Sequence, residues 1–515
     1  MNIRRFFNKW NLWILLVLLL AIGLRFYKFE DKENLFLDEY LSVVISTVNE
    51  KSLFVGIKDD STSFTGREVK SILLSADNSL SGILNDIKSL RHTTRDSPHT
   101  NLYYSLFRLS LAGADNSDIA QVMWRGFILN LAFFILSFIL LYKLASELFS
   151  EKLLILGLLI VAFLNPASVG GTLFLRPYQL QETIFILMSY LFILCCIRMM
   201  RGEKIDSWPN LLFLSFVTAL TFLSGYFAIF YVFLLGCALL FYSYKYSEKR
   251  NILFFVAVLG LSYIFVLIMY LSYNQGLFME RGEEALGKLS IAGLSDNLRL
   301  SLSGILNEIS EYFLSILEIV LLLIVFAYIM IAKLYKKRCN VFLKPLSVLF
   351  LCAFLWMLIV VFLAPMKVVR YIVPVFPIIL LLVPCLLFYL DSKKQIFLCL
   401  LFSILMLGKT ISTNVNWGVI PIEAEYVNDG DIPLVLGGSE SVCQIGAIPR
   451  FTDERPVEFS FSPNTFQEKV GKYDEVYILI ANNMEGKYVI PDGYDIEGNI
   501  KRNHLFIFCK LRKIK

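Results

Sequence analysis

Charge is what this chain has least of. Only 18% of its 515 residues are Asp, Glu, Lys or Arg, against roughly a quarter in a soluble globular domain. Together with 57% hydrophobic residues and a mean hydropathy of +0.64, that scarcity excludes an ordinary soluble protein and points to a multi-spanning membrane protein. The formal charge of +5 is small and dispersed, so no nucleic-acid partner is implied. Histidine is rarer still, at three residues. No metal-type Cys/His spacing, phosphate-cradling glycine loop or nucleophile elbow occurs, so soluble-type nucleotide chemistry has no visible apparatus. The nine cysteines decide little. Most lie in or beside apolar runs, where Cys acts as a small hydrophobe. Cys443 and Cys509 fall beyond those runs, and both a disulfide and two buried thiols stay open there.

What the chain has in abundance is apolar runs of the length that crosses a bilayer as a helix, roughly 18 to 25 residues. Eleven are expected, near 10–28, 121–146, 153–169, 179–199, 209–224, 226–243, 251–273, 311–332, 345–364, 371–390 and 395–411. Each must be helical, because in lipid the backbone has to satisfy its own hydrogen bonds. The first run is too long for a removable signal peptide and lacks a cleavage site, so it is expected to stay as an anchor. Basic residues gather at alternate ends: Arg4, Arg5 and Lys9, then Lys143 and Lys152, then Arg198, Arg201 and Lys204. Lys245, Lys249 and Arg250 follow, then Lys333, Lys336, Lys337 and Arg338, then Lys393 and Lys394. The positive-inside rule then gives a cytoplasmic N-terminus and an outer C-terminus, which an odd number of spans requires.

The expected architecture is a polytopic α-helical membrane protein with a small C-terminal α/β soluble domain on the outer side. Residues 1–411 form the membrane domain, including an outer loop at 29–120, and residues 412–515 the extracytoplasmic domain. In that loop "GREVKSILLSADNSLSGILNDIKSL" has helical apolar spacing, as either a surface-lying helix or a cover for a neighbouring loop. A further outer segment, roughly 274–310, holds "MERGEEALGK" and more amphipathic sequence. In the C-terminal part "IPLVLGG", "EVYILIA" and "HLFIFCKL" read as short buried strands.

The outer face collects unusual polar residues. Asp38 and Glu39 stand side by side in "NLFLDEYLSV", just after the first run, while Arg125, Arg176 and Arg370 sit at outer span mouths where arginine should be sparse. A lone interfacial Arg commonly snorkels to lipid headgroups. Three on one face with acids opposite suit phosphate chemistry better, since guanidinium forks hold a phosphate and a carboxylate takes a hydroxyl proton. Glu182 and Glu318 lie a turn or two inside spans, where structural hydrogen bonding explains them as well as chemistry does.

Five stretches carry a resemblance. "LDEYLSV", "RDSPHTNLYYSLFRLSLAGADN", "RGFILNLAFFILSFILLYKLASELF", "LRPYQL" and "RYIVPVFP" resemble, in order, the landmarks of the GT-C glycosyltransferases. The nearest group is the bacterial family 39-like one, related to protein O-mannosyltransferases and the lipid A aminoarabinose transferase. The resemblance covers roughly residues 10 to 390. It implies a bacterial plasma-membrane enzyme that moves a sugar from a polyprenyl-phosphate donor to a lipid, glycan or protein acceptor on the outer side, by inverting displacement. It further implies Asp38 as base with Glu39 beside it. His99, Arg176 and Arg370 would contact donor phosphate or sugar, Tyr178 and Tyr371 would line the cleft, and Asp96 is the candidate second acid. Arg125 joins the substrate-binding set. Membrane lipids are implied partners; the cofactor is unknown, and the acidic pair is compatible with a divalent cation. The sequence departs from the family where Ser97 replaces an Asp, Thr100 and Asn101 replace prolines, Phe174 stands in place of an acid, and "LSGYFAIF" lacks a histidine. Other readings of the same helices are a lipid or glycan carrier or flippase, although no internal repeat supports one, and a catalytically degenerate GT-C scaffold.

Overall fold

The computed structural model describes residues 9–47, 57–58, 60–93, 99–246, 249–278, 294–332, 343–364, 368–415, 432–438, 441–448, 451–481, 484, 486–502 and 506–514. The N-terminal part begins with α1 (Lys9–Glu30) and α2 (Leu37–Ser46). Next come β1 (Ser63–Thr65), α3 (Gly66–Leu74), α4 (Leu80–Leu90) and α5 (Asn101–Ser110). The apolar series is α6 (Ile119–Leu148), α7 (Lys152–Phe163), α8 (Pro166–Leu173), α9 (Tyr178–Met200), α10 (Trp208–Phe222), α11 (Ala228–Tyr246) and α12 (Lys249–Met269). It continues with α13 (Tyr273–Phe278), α14 (Leu294–Tyr312), α15 (Ile316–Ile331), α16 (Leu343–Leu363), α17 (Phe376–Ile379), α18 (Leu382–Leu387) and α19 (Ser392–Ser412). The C-terminal elements are β2 (Leu434–Gly437), α20 (Ser441–Ala447), β3 (Pro456–Ser460), α21 (Pro463–Gly471), β4 (Glu475–Ala481), β5 (Tyr494–Arg502) and β6 (Phe506–Lys513).

These elements form two compact units, residues 1–32, 91–103 and 127–417 in one and residues 33–90, 104–126 and 418–515 in the other. In the apolar unit all eleven expected runs fall on helix. Among the described residues seven helices, α1, α6, α9, α11, α12, α16 and α19, are long and apolar enough to cross a membrane. The other four runs differ from the straight spans expected. Two are bent pairs, α7 with α8 at 57° and Ser303–Tyr312 with α15 at 91°, and two are shorter apolar stretches, Trp208–Phe222 and Val373–Leu387. The causes are local. Asn165 and Pro166 stop α7 and restart the chain, the Asn165 side chain accepting the Ser168 amide at 2.9 Å as an N-cap. Pro374, Pro377 and Pro384 divide the 371–390 run into short pieces. Glu318, an acid within a predicted span, caps α15: its carboxylate accepts the Ser315 amide at 2.5 Å. The packing centre is α9, where Phe185 stacks on Tyr231 of α11 at 4.4 Å and meets Trp356 of α16 edge-on at 5.0 Å.

The second unit is built on a six-stranded sheet of order β1-β3-β2-β4-β6-β5. Strands β3, β2 and β4 run parallel, and the outer pairs are antiparallel. Beneath it Val435, Phe466, Val470, Val476, Ile478 and Leu511 form a buried cluster. Three strands were legible in the sequence; β3, β5 and β1 were not. Strand β1 comes from the first loop, with Ser63 opposite Glu458 and Thr65 opposite Pro456. Thr65 also begins α3, its hydroxyl accepting the Glu68 amide at 3.2 Å while Glu68 accepts the Thr65 amide at 2.7 Å, a reciprocal cap. The amphipathic stretch expected as one helix is two, α3 and α4. The intervening Asp77 and Asn78 are held by the fully buried Arg108, which donates to the Asp77 carbonyl at 2.6 Å and to Asn78 Oδ1 at 2.7 Å. Cys509 is a buried free thiol, pushed up to about 11 by burial; the Cys443 side chain lies outside the described residues.

Candidate active site

In the apolar unit three chain segments far apart in sequence bring aromatic and basic side chains together. His99 meets Tyr178 edge-on with ring centroids 5.6 Å apart. Tyr178 in turn lies 6.0 Å from Tyr371 and stacks on Phe174 at 6.1 Å. The Arg370 guanidinium carbon is 5.1 Å from the Phe174 ring and 5.7 Å from the Tyr371 ring, within cation–π range. Phe174, the residue standing where the resembled family has an acid, therefore offers Arg370 a π face. Arg176 is buried in the same turn, its amide donating to the Phe174 carbonyl at 2.7 Å.

Backbone geometry fixes these side chains. Arg370 and Tyr371 ride on a 3-10 turn, Val369–Tyr371, whose Val369 amide donates to the Glu308 carboxylate of α14 at 3.0 Å. The His99 segment is pinned by its neighbours. The Thr100 hydroxyl donates to the Leu223 carbonyl, and Asn101 Nδ2 to the Met269 carbonyl at 3.2 Å. The turn carrying Phe174, Arg176 and Tyr178 follows the bent pair α7–α8, which a buried Arg25 braces. Arg25 donates to Thr172 Oγ1 at 2.9 Å, to the Phe163 carbonyl at 3.2 Å and to Ser168 Oγ at 2.7 Å. Thr172 passes the chain on to Gln179 at 2.8 Å and Gln179 to Glu182 at 2.9 Å. Glu182 is thus part of a structural network and lies behind the turn.

No family model matches the chain, and no curated protein matches it. Solved structures similar to it include two states of one protein. The structure of ArnT from Cupriavidus metallidurans bound to undecaprenyl phosphate is 10% identical, with 91% of this chain and 96% of that one covered and a TM-score of 0.43. The apo state of ArnT from the same organism is 10% identical over 97% of each chain, with a TM-score of 0.44. Likenesses this distant leave the function to be argued from this chain's own residues.

Of the remaining expected site residues, Asp38, Glu39 and Arg125 belong to the second unit. Glu39 is fully buried and its carboxylate accepts the Phe36 amide at 2.8 Å, closing the N-terminus of α2. Burial, with Glu39 beside it, pushes the Tyr40 phenol up; its hydroxyl donates to Asn34 at 2.6 Å. Asp38, in the same first turn, is half-buried. Arg125 is exposed next to an exposed Trp124 on the second turn of α6, the arrangement that headgroup snorkelling expects. Asp96 lies outside the described residues. Among the described residues no group of three or more His, Cys, Asp or Glu side chains is placed to hold a metal ion. Residues that sequence reasoning missed are Glu308, Asn130, Arg25 and Lys32. A lone Asn inside "GFILNLAFF" and a lone Arg inside the first apolar run were the available signals; Glu308 had none.

Proposed function

We propose that this chain is an integral-membrane glycosyltransferase of the GT-C type, bacterial and in the plasma membrane, with its N-terminus cytoplasmic. It transfers a sugar from a polyprenyl-phosphate donor to an acceptor on the extracytoplasmic side. The observation that carries the reading is the convergence of His99, Tyr178, Arg370 and Tyr371 from three separate segments. Guanidinium beside aromatic faces is suited to a phosphate next to a sugar ring.

In this reading the acceptor oxygen attacks the anomeric carbon while Asp38 takes its proton. The carbon–oxygen bond to phosphate breaks, and the departing polyprenyl phosphate gains a negative charge that Arg176 and Arg370 stabilise. One displacement inverts the anomeric centre. Residues 1–411 carry the transfer, with the loop at 29–120 supplying Asp38, and residues 412–515 form the outer domain.

Asp38→Asn tests it. Transfer should fall by roughly 10²- to 10⁴-fold, the ordinary contribution of a positioned general base, while undecaprenyl-phosphate binding persists. A carrier would keep transport in that variant, and full transfer activity would overturn the assignment. Mass spectrometry of polyprenyl-phosphate sugars with and without active protein names the sugar by the donor that accumulates.

A further inference from the structure

Helix α8 ends at Leu173, and the last carbonyls of a helix have no partners within it. Here they are met by side-chain donors buried behind the Phe174–Tyr178 turn. Asn130 Nδ2 donates to the Thr172 carbonyl at 3.1 Å and to the Phe174 carbonyl at 3.0 Å. Lys32 Nζ donates to the Leu173 carbonyl at 2.7 Å, a cation at the negative end of a helix dipole. Asn130 has no exposed surface and so cannot touch a ligand. Its remaining oxygen accepts the Tyr103 hydroxyl at 3.3 Å, and Tyr103 lies four residues beyond His99, on the first turn of α5. One amide thus links the backbone of the turn that carries Tyr178 to a side chain of the segment that carries His99.

We propose that Asn130 is the positioning residue of this cluster, holding the 172–178 turn in register with the 99–103 segment. Its effect on the ligand, as distinct from the turn, rests on the donor-lipid reading above. The side chain acts as a double donor on one side and an acceptor on the other, which Asp cannot reproduce: a carboxylate there would face two carbonyl oxygens.

The test uses the full chain in nanodiscs, with undecaprenyl phosphate as the probe and hydrogen exchange as a readout that needs no ligand. In Asn130→Leu, exchange should rise together in peptides covering 99–107 and 172–178 and stay unchanged across 231–246. Affinity for undecaprenyl phosphate should fall roughly tenfold, and that loss should largely vanish when Tyr178→Ala is already present, because residues coupled through a shared backbone segment are non-additive in double-mutant cycles. Tyr103→Phe removes a single hydroxyl and should raise exchange in 99–107 alone, keeping the test open should the Leu variant fold poorly. The inference is overturned if either segment's exchange is unmoved in Asn130→Leu. It is equally overturned if affinity drops by the same factor with and without Tyr178, as general destabilisation would produce. If the wild type fails to bind undecaprenyl phosphate while the paired exchange change appears, the donor-lipid reading falls and the positioning of the turn stands.

Discussion

Arg25 in the apolar unit and Arg108 in the sheet unit are both fully enclosed and both donate to neutral oxygens, yet Arg108 adds a carboxylate to its direct partners. Arg25 places its donors on the Ala21 and Phe163 carbonyls, on Ser168 and on the Thr172 hydroxyl, with its guanidinium carbon 3.4 Å from the Phe134 ring centroid. Arg108 donates directly to the Asp86 carboxylate at 2.7 Å, and in the same unit Lys469 lies 3.5 Å from Glu458. The lesson concerns what each environment is short of. A bent helix in an apolar setting leaves carbonyls that need donors, so the cation and the break satisfy one another. Where carboxylates keep some access to water, as Asp86 does, an ion pair carries a smaller desolvation cost.

The contrast can be attacked directly. Asp86→Asn should have the largest effect, about 3–5 kcal/mol, because it strands a buried guanidinium; thermal unfolding of the full chain reads it. Gly66→Ala follows at about 1–3 kcal/mol from overpacking. A Cβ there would lie 1.9 Å from the Thr452 carbonyl oxygen, and limited proteolysis of the sheet unit reports the loss. Glu182→Gln should cost about 1 kcal/mol or less, since Arg25 rests mainly on neutral oxygens and the amide replaces one hydrogen bond with another. Should it destabilise as much as Asp86→Asn, the distinction between the units is wrong. The smallest effect is a pH dependence. A hydrogen bond from Lys70 holds Asp453 below the usual carboxylate range, so its contribution is complete above about pH 4 and is lost as pH falls through the lowered folded value. Asp453 is half exposed, so the acid limb should be only slightly flatter in Asp453→Asn, as chemical denaturation across pH 2–6 would show.

Much of the helical layout was legible because lipid forces long apolar runs into one conformation. The bends were not, although Asn165–Pro166 is a visible break, because hydropathy averages over it. Strand β1 is three residues long and owes its existence to residues 456–458, a partner that no local pattern announces. Within the candidate site, Arg370 was chosen by residue type and membrane side, and His99, Tyr178 and Tyr371 by the family resemblance. The structure adds that they meet. Asn130 and Glu308 escaped because a residue that orients others leaves no chemical signature in its own sequence neighbourhood. Glu39 was chosen alongside Asp38 and is occupied by a cap, which the spacing from Phe36 does not advertise.

The pairing of β1 with β3 sets a rule for the path of the chain. Backbone groups hydrogen-bonded to each other cannot be parted by a bilayer, so whatever leaves the sheet after Thr65 must return to the same compartment before Pro456. The traverses between those residues are therefore even in number. Six long helices among the described residues satisfy the parity already, and the bent and short segments must join or abstain in twos.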